Sequence, residues 1–224
     1  MSISAEDGMV RIAEADHRIA NNLTSLSAVI GLQRKALSKS GKTFTADQVC
    51  VLLSEVTARI EVTAKLHKYL ATAANNNGID IGDFLQQVSS LIGKLVPQGR
   101  MKVEVANSCE GYINPRDALC VSLIAAELLT NAAKYAHPTG LPVKVHIRCE
   151  TKEDGSFVVE VSDDGVGFPE NFDPSTDGGL GFRLMRALAK ELGTELLFEH
   201  DSLGVCARLV GQQGGRRIMS EKPR

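Results

Sequence analysis

Three short stretches of this 224-residue chain carry side chains whose type and spacing could hold a phosphate-bearing ligand. In ELLTNAAKY, Glu127, Asn131 and Lys134 fall at i, i+4 and i+7, so on a helix an acid, an amide and a base share one face. Packing alone does not select such a row inside an otherwise apolar helix. In DDGVGF, Asp163 is followed by Gly165 and Gly167, which joins a carboxylate to a tight backbone turn at the end of a predicted strand. In DGGLGFRLM, Gly178, Gly179 and Gly181 stand at a predicted helix N-terminus, where free N–H groups and the helix dipole suit anionic phosphates. Each pattern is common by itself. Their order, with strands between them, makes them one constellation.

A fourth stretch, EADHRIANNLTSL, offers a nucleophile. Successive helical residues advance by about 100°, so with Ile12, Ile19, Leu23 and Ile30 facing inward, His17 points roughly 150° away. It shares that outer face with Ala13, Ala20, Asn21, Thr24, Ala28 and Gly31, small or polar residues that leave the imidazole accessible. Asp16 precedes it and can orient the ring, and Asn21 sits one turn on. A solvated surface histidine is the plain alternative, and the phosphate-binding constellation downstream is what argues against it.

The elements that must position these groups fall into two textures. Ile12, Ile19, Leu23, Leu26, Ile30 and Leu37 form one helical stripe, with Gln33 in one slot. SKSGKTFTAD breaks it at Gly41 and offers Thr45 as an N-cap. Val49, Leu52, Leu53, Val56, Ile60, Leu66 and Leu70 then form a second stripe, ending at NNNG, Asn75 to Gly78. Two helices cannot enclose both stripes, so the hairpin is expected to dimerise into a four-helix bundle. Beyond Gly78 helices and strands alternate. IDIGDFLQQVSSLIGKLV reads as a helix and MKVEVAN as a strand. NPRDALCVSLIAAELLTNAAKYA reads as a helix capped by Asn114, with Pro115 first and Asp117 in the opening turn. PVKVHIRCET, SFVVEVSDD, ELLFEH and GVCARLV read as strands around the helix FRLMRALAKEL. The expected fold is an α-helical hairpin, residues 1–77, followed by an α+β sandwich, residues 78–211, and a disordered tail, residues 212–224.

Bulk properties exclude other classes. A net charge of -2 gives no footprint for nucleic acid or an acidic membrane. No signal peptide is evident, and no apolar run approaches the ~20 residues of a membrane span, so a cytoplasmic protein is expected. The five cysteines are scattered and none has CxxC spacing, so buried apolar thiols are expected rather than zinc ligands or a disulfide framework. His67, His137, His146 and His200 have no metal-ligand spacing and read as structural or solvated, with His137 nearest the expected ligand.

These motifs resemble those of bacterial sensor histidine kinases, with an ATP-binding domain of the gyrase/MutL/chaperone type. ELLTNAAKYAHP is similar to the N-box, DDGVGF and GGLGFRLM to the two glycine boxes, and HRIANNL to the phosphoacceptor box of the subclass with His-Arg followed by paired asparagines. The resemblance covers roughly residues 10–210. It implies ATP with Mg²⁺, with Asp163 reading the adenine amino group and Asn131 ligating the metal. Glu127 would serve as base or polarising group and as a further metal contact, and Lys134 would meet phosphate. Tyr135, Gly165, Gly167, Gly179, Leu180 and Gly181 would shape the pocket and its lid. His17, flanked by Asp16 and Asn21, would receive the phosphoryl group and pass it to an aspartate of a response regulator receiver domain.

The chain also departs from that pattern. Only about ten residues, FPENFDPSTD, separate the glycine boxes, so the lid should be short. No separate Phe-rich box is apparent, although Phe168 and Phe172 lie in the loop. The lack of tryptophan counts against the sister subclass with a Trp-x-Glu motif. No sensor domain precedes the hairpin, so an upstream sensor protein is an expected partner. The same architecture also suits a dimeric histidine phosphotransferase or a response-regulator phosphatase. A serine kinase of the anti-sigma-factor type shares the ATP fold but has no use for His17.

Overall fold

A computed structural model describes residues 31, 45–73, 79–94, 96–97, 99–109, 112–113, 115–153, 156–201 and 203–211. His17, Asp16, Asn21, Asn114 and the tail 212–224 lie outside the described residues. The chain divides into two compact units, Met1–Ile60 and Glu61–Arg224.

Helix α1 (Ala46–Ala73) opens directly after Thr45, whose carbonyl accepts the Val49 N–H at 3.0 Å. In the first unit Val49, Leu53 and Ile60 are exposed apolar residues. The stripe does not continue as one seam. From Glu61 onward α1 belongs to the second unit, where Val62, Leu66 and Leu70 are buried in the main core. There the Tyr69 ring stacks on Phe84 with centroids 5.4 Å apart.

The rest of the second unit is a mixed sheet with helices on one face. The strands are β1 (Ile79–Asp80), β2 (Met101–Ser108), β3 (Tyr112–Ile113), β4 (Val143–Thr151), β5 (Phe157–Asp163), β6 (Thr194–Asp201) and β7 (Gly204–Gly211). The helices are α2 (Ile81–Gly93), α3 (Pro115–Tyr135) and α4 (Leu180–Leu192). The main sheet runs β2-β4-β5-β7-β6; β2 and β4 are parallel and the other pairs antiparallel, while β1 and β3 form a separate short ribbon. The parallel pair needs a crossover, and α3 lies in that connection.

Alternation sets the faces of the sheet. Along β4, Val143, Val145, Ile147 and Cys149 are buried while Lys144, His146, Arg148 and Glu150 are exposed. The helices cover the buried face with Phe84, Leu85 and Val88 of α2, Val121 and Leu129 of α3, and Met185 of α4. Helix α2 is capped by the Asp80 carboxylate, which accepts the Asp83 N–H at 2.9 Å. Helix α4 ends at Gly193 in the left-handed conformation that glycine tolerates best.

Two expectations need correction. Asp117–Tyr135, 19 residues, is by length and composition apolar enough to cross a bilayer, with a mean hydropathy of 1.2 over an 18-residue stretch of it. Its apolarity has another cause, since α3 is the central core helix, packed on β4 and β5 and flanked by α2 and α4. Cys109 and Cys149 are not free thiols but form a disulfide, with Cα atoms 5.3 Å apart. The register explains the pairing: β2 runs beside β4 with Asn107 opposite Cys149, which brings Cys109 within reach at the strand end. A spacing of 40 residues hides this in the sequence. Closing a loop of that length should contribute about 2–4 kcal/mol. Peptide mapping without reductant should recover the Cys109–Cys149 pair, and adding a reductant should lower the urea midpoint of the second unit by a corresponding amount.

Candidate nucleotide site

The glycines of DDGVGF let three backbone segments meet. The Val166 N–H donates to the carbonyl of Ala136, the residue just past α3, at 3.0 Å. Gly165 lies so close to that helix end that a Cβ would stand 2.6 Å from both Cα and Cβ of Ala136. Gly167 has φ +75°, and a Cβ on it would run into the Asp201 carbonyl at the end of β6. Gly204, which opens β7, has φ +136°, and its Cβ would strike the Asp163 carbonyl. The end of α3, the end of β5 and the β6–β7 turn therefore converge on one loop.

Asp163 sits at the centre of this convergence. Its carboxylate is half-buried and accepts the Gly165 N–H at 2.9 Å. Burial pushes its pKa above the usual aspartate value and the neighbouring Asp164 adds to this; the Gly165 and Val205 N–H groups oppose the shift. Asp164 takes a different role. Its carboxylate accepts the Lys144 N–H at 2.8 Å and lies 3.2 Å from His137 Nε2. Burial acts to raise its pKa, but the Lys144 N–H and His137 outweigh that and hold it low. His137 is thus a structural partner that pins the loop after β5 beside the end of α3, as the Lys144 N–H pins it beside β4.

Along α3, Glu127 is buried, Asn131 half-buried, and Lys134 and Tyr135 exposed, so the row emerges from the core toward the helix end beside Gly165. Carboxylate and amide oxygens one turn apart are hard donors that fit a magnesium ion held largely by phosphates and water. At the other rim, α4 begins at Leu180 after Gly179, which has no side-chain cap and extended backbone that any residue adopts. A Cβ on Gly179 would meet nothing within 4 Å, and Gly181 is buried in the first turn. The N-terminus of α4 therefore carries no side-chain acceptor at its cap.

Between the glycine boxes the loop is folded rather than open-ended. Asp173 accepts the Ser175 N–H at 2.8 Å and the Ser175 and Thr176 hydroxyls, while its own N–H donates to Asp177 Oδ2 at 3.0 Å. The Phe168 ring contacts Phe172, Phe182, Phe198 and His200, with centroids 4.9–5.8 Å apart. Sequence reading identified Phe168 and Phe172 but missed Phe182, Phe198 and Arg186. Those three lie on α4 and β6, and nothing in their local spacing announces that they meet the loop.

Comparison with known proteins divides the chain near residue 95 rather than at the boundary between the two compact units. The Histidine kinase-like ATPase domain family matches residues 94–209, and a family described as Histidine kinase matches residues 14–96. Blue-light-activated histidine kinase 2 of Erythrobacter litoralis is 28% identical over 191 residues, 83% of this chain and 52% of that protein. Sensor histidine kinase PdtaS of Mycobacterium tuberculosis is 24% identical over 84% of this chain and 35% of its own length. The chain thus spans about half, or less, of these relatives. The solved structure of the Erythrobacter litoralis EL346 blue-light activated histidine kinase superposes with a TM-score of 0.70 at 24% identity, covering 98% of this chain and 61% of that one. Its isolated kinase domain gives 0.61 at 22% identity, over 84% of this chain and 94% of that one.

The two glycine boxes should respond differently to a methyl group. Gly165→Ala must push the loop off α3 and should destabilise the second unit by about 1–3 kcal/mol. Gly179→Ala meets open space and should change stability by less than about 0.5 kcal/mol. Chemical denaturation of the two variants checks the contrast, and equal effects would refute the close-packing account.

Proposed function

We propose that this chain, which belongs to the histidine kinase-like ATPase domain family, is the kinase core of a two-component signalling protein. It autophosphorylates His17 from ATP and passes the phosphoryl group to an aspartate of a response regulator receiver domain. The observation that carries this reading is the half-buried Asp163 carboxylate, held at the bottom of a glycine-lined convergence beside the Glu127–Asn131–Lys134 row.

Each residue then has a task. Asp163, positioned by the Gly165 and Val205 N–H groups, accepts the adenine amino group and anchors the base. Asn131, with Glu127 behind it, offers oxygen to Mg²⁺, which would neutralise phosphate charge when bound. Lys134 and Tyr135 stand at the exposed end of the row, toward the phosphates. Gly179, Leu180 and Gly181 supply backbone N–H groups at a helix N-terminus. Gly165 and Gly167 keep the floor of the pocket free of side chains. In the transfer, a ring nitrogen of His17 bonds to the γ-phosphorus, the bridging P–O bond breaks and ADP leaves. Glu127 takes or polarises the ring proton, and Asp16 and Asn21 orient the imidazole. Positioning and charge neutralisation supply most of the catalysis.

The hairpin is read as the dimerisation element of a homodimeric, cytoplasmic protein. The exposed Val49, Leu53 and Ile60 fit an apolar seam completed by a second copy. A phosphotransferase or phosphatase of the same architecture is the second reading. Intact nucleotide boxes favour the kinase, since a pure relay has no need of Asp163 with its turn glycines.

Incubation with γ-labelled ATP and Mg²⁺ should leave an acid-labile, base-stable label on the protein. His17→Ala should abolish the label and retain nucleotide binding, while Asn131→Ala should lose turnover. A chain that binds ATP but never takes up label would leave the relay reading in place of the kinase. The raised pKa of Asp163 adds a pH signature. The carboxylate is the form that accepts the adenine N–H, and burial makes it protonate at a higher pH than an ordinary aspartate. ATP affinity should therefore decline on acidification from neutral pH sooner than an unperturbed aspartate would cause. Asp163→Asn should bind weakly throughout, with that dependence gone.

A further inference from the structure

Beyond Phe168, which packs on Phe182, Phe198 and His200, the loop between the glycine boxes is tied to α4 at two places. Phe172 of the loop packs on Phe182 with centroids 5.3 Å apart. Arg186, one helical turn after Phe182 on the same face, directs Nη1 at two loop carbonyls, those of Pro174 at 2.6 Å and Asp177 at 3.1 Å. Between these carbonyls the loop closes on itself, with the Asp177 N–H donating to the Asp173 carbonyl at 2.7 Å and the Asp173 carboxylate gathering Ser175 and Thr176. A compact knot is thereby held at one end by an aromatic contact and at the other by a guanidinium. Gly178 then turns the chain into α4 with φ +89°, at a point where a Cβ would press on the Phe182 ring.

We propose that Arg186 is a positioning residue for the nucleotide. It fixes the Pro174–Asp177 segment against α4, so that the lid is set before ATP arrives and need not be ordered by it. This rests on the reading of the site as an ATP pocket. A guanidinium is always charged, and its bonds to carbonyl oxygens are of the stronger, charge-assisted kind. The carbonyls would otherwise face water in a loop with many accessible conformations. Ordering such a loop on binding is subtracted from ligand affinity. Arg186 acts only through the loop backbone and does not itself touch the ligand.

The test uses the full chain with Arg186→Ala, Arg186→Lys and, as a second route to the same lid, Phe172→Ala. Hydrogen exchange without nucleotide reads the latch, and ATP affinity and turnover read its purpose. In Arg186→Ala, the amides of Asp173, Ser175, Thr176 and Asp177 should exchange at least about tenfold faster while those of β4 and β5 stay unchanged. The ATP dissociation constant should rise about five- to tenfold, with turnover at saturating ATP within about twofold of the parent. Arg186→Lys should recover much of both effects, because an ammonium can still donate to carbonyls. Phe172→Ala should move lid exchange and affinity in the same direction. Unchanged lid exchange, faster exchange throughout the sheet, or unaltered affinity despite a loosened lid would each overturn the proposal. If the parent binds no ATP, the reading of the pocket falls and the purpose given to the latch falls with it; the exchange arm still decides whether the latch exists.

Discussion

The missing side chain at residue 165 is the constraint on which the rest of the site depends. Only a bare backbone can approach Ala136 closely enough for Val166 to donate to its carbonyl. That bond joins the end of the apolar helix to the end of the central strand β5. Once the two are joined, the polar row on α3 and the carboxylate of Asp163 must open on the same side. Gly204 enforces the same geometry from the opposite flank, where β7 begins against the Asp163 carbonyl. Function at this site is first a matter of how near backbones can come.

That closeness has an energetic consequence. Drawing β5, β7 and α3 together removes much of the water around Asp163, which raises the free energy of its ionised form. Two backbone N–H groups compensate only in part. Asp164, one residue on, is arranged oppositely, exposed and stabilised as a carboxylate by Lys144 and His137. The pair divides the labour: Asp164 fastens the loop, and Asp163 is left with acceptor capacity in a place of low polarity. A ligand donor such as an exocyclic amine can gain more there than it could in water.

Much of this could be read from the chain. PVKVHIRCET was legible as a strand, and its alternation falls on the buried and exposed faces of β4 because one face of the sheet is covered. Pro115 announced the start of α3, and the glycine boxes announced turns at the correct strand and helix ends. Long-range pairing was not legible. The Cys109–Cys149 bond depends on the parallel register of β2 and β4, which no local pattern encodes. The apolar stripe of α1 looked continuous, yet Leu66 and Leu70 fill the sheet domain's core while Leu53 stays exposed. Periodicity shows that a face is apolar but does not name what will cover it.

The lid shows the same limit more sharply. FPENFDPSTD reads as a short polar loop, and its two phenylalanines suggest little by themselves. Folding supplies Phe182 from α4 and Phe198 from β6, and the four rings with His200 become one small apolar cluster under the loop. Burying several aromatic faces offsets the entropy of ordering a segment with little regular structure. The cluster also links the lid to β6, whose terminal Asp201 carbonyl is the group that forbids a side chain on Gly167. Lid, glycine turn and strand end therefore share one packing unit, so a shift in any of them is felt at the carboxylate that would read the base.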